Sequence, residues 1–363
     1  MDDEVRDVDE YKHRMAHDRF RDKIRRMRFL HALRRTRPIS SAIARVIASI
    51  RTSPRSAVPW ALLVAMGISM CMLPWGELRA QSGWPAREQL WPNGAPGAVG
   101  SDTLDQPSIM IFPAPRNTAN GAAVVIFPGG GYTHLATEKE GTRIAGWLNT
   151  LGVSAFVVTY RLGARYHHPS MLYDAQRAVR TVRARANALG IDTARVGVLG
   201  FSAGGHLAAT LITHPNDGSA NSLLSSDAID RQRARPDFAV LMYPVITMRD
   251  PFVHRGSRQY LLGNAPSSMM IDSLSNELQV SASTPPTFLV HATDDAVVPV
   301  ENSLLFYAAL TTAKVPAELH IFQKGGHGFG MAPNDPALAM WMPLCAAWMR
   351  SRGLFGRAVA PSE

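Results

Sequence analysis

Residues 195–211 pass from an apolar run, Arg195-Val196-Gly197-Val198-Leu199, into Gly200-Phe201-Ser202-Ala203-Gly204-Gly205, and on through His206-Leu207-Ala208-Ala209-Thr210-Leu211. That order reads as a strand, a glycine-flanked reversal carrying a serine, and a helix starting at Ala203. A G-x-S-x-G turn of this kind is too tight for side chains at its glycine positions. It lifts the serine hydroxyl clear of a sheet and aims the next backbone N–H at the same point. Such a segment needs a parallel sheet to launch it, and it points to nucleophilic acyl chemistry.

The remaining pattern supplies that sheet. Strand-like runs at 108–112, 122–127, 153–160, 195–199, 238–243, 287–292 and 318–322 alternate with helical patterns at 138–151, 170–189, 302–313 and 337–350. Several runs are continuous Val/Ile/Leu/Phe stretches, expected of strands covered on both faces. Along 170–189, Leu172, Ala175, Val179 and Val182 form one stripe, and Arg177, Arg180, Arg183 and Arg185 fall largely off it. Alternation of this kind predicts an α/β fold with a mainly parallel, doubly wound sheet. Residues 81–106, rich in Gly, Pro and Trp, read as an entry segment crossing the surface. Residues 244–285 have no clear pattern and are expected to form a small cap-like insertion near the ligand-binding edge. Residues 81–363 are thus expected to form one catalytic domain.

Charge separates the head of the chain from this body. Of 38 Lys and Arg against 29 Asp and Glu, residues 1–56 hold 15 and 8, whereas residues 81–363 hold 22 and 20. A nearly neutral body gives no electrostatic footprint for nucleic acid. The basic head is expected to be disordered or untranslated, with a start codon nearer the apolar core. Residues 57–76 carry no charge, Arg45, Arg51 and Arg55 precede them, and Leu78-Arg79-Ala80 follows. Basic flank, apolar core and small-residue exit mark 57–80 as a signal peptide or signal anchor. The 14 residues between Pro59 and Pro74 are short for a membrane span. Either form exports the body; the anchored form would hold it at a membrane through 57–76. With two cysteines, Cys71 and Cys345, neither a disulfide framework nor a Cys-based zinc site is available.

A serine hydroxyl needs an imidazole base held in one tautomer by a carboxylate. Both lie downstream, each after a strand. The run at 287–292 leads into Asp294-Asp295, and the run at 318–322 into Gly325-Gly326-His327-Gly328. The order Ser, Asp, His is that of one hydrolase architecture. Spacing leaves Asp294 and Asp295 open. The wider hydrolase pattern H-G-x-x-D-x-x-V-P, laid on His291 to Pro299, selects Asp295 and leaves Asp294 to cap the next turn. After the run 122–127 comes Pro128-Gly129-Gly130-Gly131-Tyr132. Consecutive glycines can turn backbone N–H groups onto an oxyanion. Gly130, Gly131 and Ala203 are the expected donors; no Lys-Ser/Thr follows to make this a phosphate loop. His134, His167-His168 and Met269-Met270 read as loop, surface or packing residues, and Arg161 with Asp174 as a structural ion pair.

Taken together, Pro128 to His134, Tyr160-Arg161-Leu162, Gly200 to His206, Pro285 to His291 and Gly325 to Phe329 resemble the BD-FAE-like esterases of the α/β-hydrolases, close to acetylxylan and feruloyl esterases. The resemblance spans roughly residues 88–352. It implies an α/β-hydrolase fold, nucleophile Ser202, acid Asp295 and base His327. It also implies a small-molecule or carbohydrate ester as substrate. Pro128 stands where lipase-type relatives carry His, which fits this branch. The chemistry needs no cofactor or metal. A prolyl-oligopeptidase-like exopeptidase would share these residues, but the chain ahead of the core is too short for its propeller. A membrane-anchored binding protein without activity would be expected to lack one of the three.

Overall fold

The structure, a computed structural model, describes residues 85–215 and 227–356. The expectations for 1–56, for 57–80 and for Cys71 lie outside the described residues. Those residues belong to one unit, Gly83–Glu363.

Eight strands form one sheet: β1 (Ala86–Gln89), β2 (Ser108–Phe112), β3 (Ala123–Phe127), β4 (Ser154–Thr159), β5 (Val196–Phe201), β6 (Ala239–Met242), β7 (Thr287–Ala292) and β8 (Ala317–Phe322). Their order is β1-β2-β4-β3-β5-β6-β7-β8. β1 and β2 pair antiparallel, as do β2 and β4; the other neighbours are parallel. The longer helices are α1 (Arg143–Thr150), α2 (Ser170–Ala184), α3 (Ser202–Thr213), α4 (Arg255–Leu262), α5 (Ser268–Ser273), α6 (Glu301–Thr312) and α7 (Trp341–Ser351), with one further helical turn at Ala186–Leu189. This is the α/β-hydrolase architecture.

The unbroken apolar runs have the expected cause. In β3 all five residues are buried. Ala123, Val125 and Phe127 enter one core with Val179 of α2, Leu211 of α3 and Phe306 of α6. Val124 and Ile126 enter the opposite core with Leu148 of α1 and Trp341 of α7. Burying a side chain such as Phe127 stabilises the fold by about 1.5–3 kcal/mol. β8 is an edge strand and is only half-buried.

Topology places the site. From β3 the chain crosses to β4 on one flank, whereas β5 lies on the other. The loops leaving β3 and β5 therefore diverge at their carboxyl ends and leave a crevice, the usual ligand position in open α/β sheets. The β3 loop is the glycine run, and the β5 loop carries Ser202.

Several local expectations change. Residues 81–106 are more than a surface crossing: β1 pairs with β2, and Leu90 and Trp91 are buried. α3 begins at Ser202, one residue early. Ahead of α1 lies a π-helical turn, Thr137–Thr142, in which Glu140 is buried. Residues 244–285 hold α4, α5 and the 3-10 turn Asn276–Leu278. Met269 does not pack: α5 lies on the outside and exposes Met269 by 80% and Met270 by 39%.

The arginines of α2 lie off the apolar stripe yet are not solvated. Arg177, Arg180 and Arg183 are buried. Arg177 pairs with Asp227 and Asp230, donates to the Leu90 carbonyl and lies over the Trp91 ring. Arg183 pairs with Asp237 at 3.1 Å. The segments at 90–91 and 227–237 cover that face, so α2 is buried on both sides. The expected Arg161–Asp174 pair has side chains with no exposed surface and an N–O distance of 2.9 Å. Trp91 Nε1–H and the Arg161 backbone N–H also donate to Asp174. A buried pair survives only when its remaining groups are hydrogen-bonded, and here they are.

Candidate active site

Ser202 sits at φ +50°, in the left-handed region that non-glycine residues rarely adopt. Neighbouring glycines make the reversal possible. A Cβ at Gly200 would come within 2.3 Å of the Gly204 carbonyl, and one at Gly204 within 2.1 Å of the Phe127 carbonyl. β5, the turn and the end of β3 therefore interlock.

The strained serine meets the two distant residues. Ser202 Oγ lies 2.8 Å from His327 Nε2, and His327 Nδ1 lies 2.7 Å from Asp295 Oδ2. A carboxylate oxygen accepts, so Nδ1 carries the proton and Nε2 faces the serine as acceptor. Asp295 is fixed in turn. Its Oδ1 accepts from the N–H groups of Val297 and Val298, both at 2.9 Å. His291 Nε2 lies 3.3 Å from Oδ2. That nitrogen also faces the Val298 carbonyl at 3.0 Å, so it bears a proton. Burial pushes the Asp295 pKa up. Hydrogen bonds from His291, His327 and the Val298 N–H outweigh it and hold the carboxyl well below the usual range. Asp295 is thus ionised.

Asp294 does not cap the following turn. It accepts from the Gly326 N–H at 2.8 Å, with Lys324 at 3.8 Å, and so anchors the loop that presents His327.

Gly130 and Gly131 line one cleft with Ser202 and His327, a cavity of about 420 Å³. Their φ values are +133° and +62°, and a Cβ at Gly130 would strike the His134 carbonyl at 2.1 Å. The N–H groups of both glycines take no partner among the described residues. The N–H of Ala203 lies in the first turn of α3, where no intrahelical acceptor exists. Ser202, His327, Gly130 and Gly131 thus share one cleft, with Asp295 bonded to His327 and Ala203 next to Ser202 at the start of α3.

A buried polar chain supports it. Gly129 N–H donates to Glu140 at 2.8 Å, Tyr243 hydroxyl to the other carboxylate oxygen at 2.8 Å, and Gly330 N–H to the Tyr243 oxygen at 3.0 Å. Burial raises the Glu140 pKa, partly offset by those two donors. The Tyr243 ring packs edge-on against His327 at 5.1 Å. Behind the glycine loop, Tyr132 hydroxyl bonds His206 Nδ1 at 2.9 Å. His206 Nε2 faces the Leu274 carbonyl at 2.8 Å and must hold the ring proton.

Glu140, Tyr243 and His254 stand out only in the structure. A Tyr closing an apolar strand run is a weak signal for Tyr243. Glu140 shows none, because a π turn shifts it off helical spacing. His254 shows none, because it lies in the unpatterned insertion. His134 is exposed at the cleft rim and bonded to Thr133. His167 Nδ1 meets the Tyr260 carbonyl at 2.9 Å. His168 is held by burial, with His214 adding a smaller effect, at a pKa of about 4. Among the described residues no group of three His, Cys, Asp or Glu is placed to hold a metal ion.

With this geometry, the match of residues 110–310 to the BD-FAE family model is decisive. The chain belongs to the BD-FAE family. It is 36% identical over 221 residues to the endo-1,4-beta-xylanase B of Butyrivibrio fibrisolvens, covering 60% of this chain and 34% of that protein. It is 35% identical over 225 residues to the acetylxylan esterase of Xylanibacter ruminicola, covering 61% and 43%. The chain thus spans less than half the length of these two curated relatives. The crystal structure of an acetyl ester-xyloside bifunctional hydrolase from Caldicellulosiruptor lactoaceticus superposes with a TM-score of 0.69 at 42% identity, covering 76% of this chain and all of that one. MGS-M1, an alpha/beta hydrolase enzyme from a deep-sea metagenome library, gives a TM-score of 0.52 at 27% identity, covering 68% and 91%.

Proposed function

We propose that this BD-FAE member is a serine carboxylesterase that cleaves short-chain esters of carbohydrates. The observation that carries the reading is the Ser202–His327–Asp295 hydrogen-bond chain opening onto a glycine-lined cleft. In this mechanism Ser202 Oγ attacks the ester carbonyl while His327 Nε2 takes its proton. Asp295 stays ionised, holds the tautomer and stabilises the imidazolium. The N–H groups of Gly130, Gly131 and Ala203 receive the oxyanion, each such donor being worth ~10²–10³ in rate. His327 returns the proton to the leaving alcohol, and water then releases the acyl group by the same route reversed. No metal or cofactor takes part in these steps.

The named activities of the acetylxylan esterase and of the bifunctional hydrolase favour an acylated sugar. A cleft of about 420 Å³ suits a short acyl group beside one sugar. The xylanase name of one relative does not extend to this cleft. Glycoside hydrolysis needs two carboxylates flanking the bond, whereas Glu140 and Asp295 are both committed to hydrogen bonds within the protein. Residues 57–80 are proposed to export the domain, by cleavage or as an anchor, which fits a polymeric substrate outside the cell.

Turnover of p-nitrophenyl acetate, butyrate and ferulate esters and of acetylated xylan tests the activity. Acetyl esters should be cleaved fastest, and Ser202→Ala should abolish all turnover. Preference for long-chain lipids would overturn the substrate proposal. Cell fractionation tests export; catalytic domain recovered in the cytoplasm would overturn that part.

A further inference from the structure

Residues 244–285 bring one polar side chain to the cleft that the mechanism does not use. His254 precedes α4 and acts as its N-cap. Its Nδ1 accepts from the Ser257 backbone N–H at 3.2 Å and lies 2.8 Å from the Ser257 hydroxyl. A backbone N–H can only donate, so Nδ1 is an acceptor and the neutral ring carries its proton on Nε2. Nε2 has no hydrogen-bond partner among the described residues. The ring is half-buried and lines the same cleft as Gly130, Gly131, Ser202 and His327. Its Cε1 lies 3.9 Å from where a Cβ on Gly131 would stand.

We propose that His254 is a specificity residue that donates its Nε2–H to an oxygen on the alcohol side of the substrate, such as a sugar hydroxyl or ring oxygen. The inference rests on the esterase reading and deepens it. The alcohol side follows from position. His327 must reach the departing oxygen, and His254 lines the same cleft as His327. Burial, with His327 adding to it and Asp295 opposing, keeps His254 below the ordinary imidazole pKa, which favours a neutral, oriented donor. Cap and donor are two ends of one ring, and the helix start fixes the tautomer that the substrate meets.

Two variants of the full chain separate these ends. His254→Asn retains an oxygen that can cap α4 but is too short to reach the cleft as Nε2–H does. His254→Gln carries an amide N–H about as far out as Nε2 and loses the cap geometry. Each would be compared with the parent on p-nitrophenyl acetate and on an acetylated methyl xyloside, with thermal melting alongside. His254→Asn should keep its melting temperature. Its kcat/KM should fall about tenfold further on the xyloside than on the aryl ester, mainly through KM. His254→Gln should melt lower and lose less on the xyloside than His254→Asn does. Equal losses on both substrates in His254→Asn would leave His254 a cap alone and overturn the proposal. Failure of the parent to cleave either ester would instead remove the esterase reading, and the proposal with it.

Discussion

The Tyr243 hydroxyl donates to the Glu140 carboxylate at 2.8 Å, and that contact joins the two loops that flank Ser202. Glu140 holds Gly129, next to the proposed oxyanion donors; Tyr243 holds Gly330 and packs on His327. Removing the hydroxyl leaves a buried carboxylate short of a donor and a buried N–H short of an acceptor. Tyr243→Phe should therefore lose about 1–3 kcal/mol of stability by chemical denaturation. Its kcat on p-nitrophenyl acetate should fall at least severalfold. An unchanged denaturation midpoint would show that the chain carries no load.

Asp294 and Asp295 are adjacent but do different work. Asp295→Asn should lower kcat by roughly 10³–10⁴ because the imidazole loses its tautomer and its counter-charge. Asp294→Ala removes only the anchor at Gly326, so its kcat should stay within about tenfold of the parent, as for one lost hydrogen bond. Steady-state kinetics on the two variants check the assignment, and a larger loss in Asp294→Ala would reverse it.

His206 sets an acid limit on the fold. Burial holds its pKa at about 4, with the Leu274 carbonyl opposing and His168 and His214 adding to the shift. The unfolded chain protonates near 6.5 and the folded one near 4. The stability of keeping this ring neutral is fully present above pH 6.5 and is lost as pH falls toward 4, on the order of 3 kcal/mol. His168, also near 4, acts in the same window. Denaturation midpoints should therefore drop between pH 6.5 and 4. His206→Gln should show a shallower drop, and a parallel one would contradict the assignment.

Arg161 and Asp174 form a pair with no exposed side-chain surface. Asp174→Asn leaves the guanidinium buried without its counter-charge and should cost about 3–5 kcal/mol. Double substitution by apolar residues should cost less than the sum of the single changes. A double-mutant cycle by denaturation measures this, and additive costs would mean the pair is not coupled.

What could be read from the chain follows its periodicities and tight turns. The parallel strands announce themselves because burial on both faces demands unbroken apolar runs, as in β3 and β5. The serine turn is legible because Gly200 and Gly204 have no room for a side chain. Choosing Asp295 over Asp294 needed a family pattern, since adjacent carboxylates look alike until the loop is folded. Sequence places the arginines of α2 off the apolar stripe but does not reveal their burial, because their cover comes from segments far away in sequence. Glu140 and His254 stayed hidden for a related reason. Their roles come from a π turn and a helix cap, neither of which leaves a repeat.

The account turns on Ser202 as the nucleophile. Intact-mass and peptide analysis of the full chain after reaction with diethyl p-nitrophenyl phosphate tests it most directly. One diethylphosphoryl group should appear, on Ser202, with turnover lost in parallel, and the reaction should slow sharply in His327→Ala. Label on another residue, or ester turnover that survives in Ser202→Ala, would contradict it.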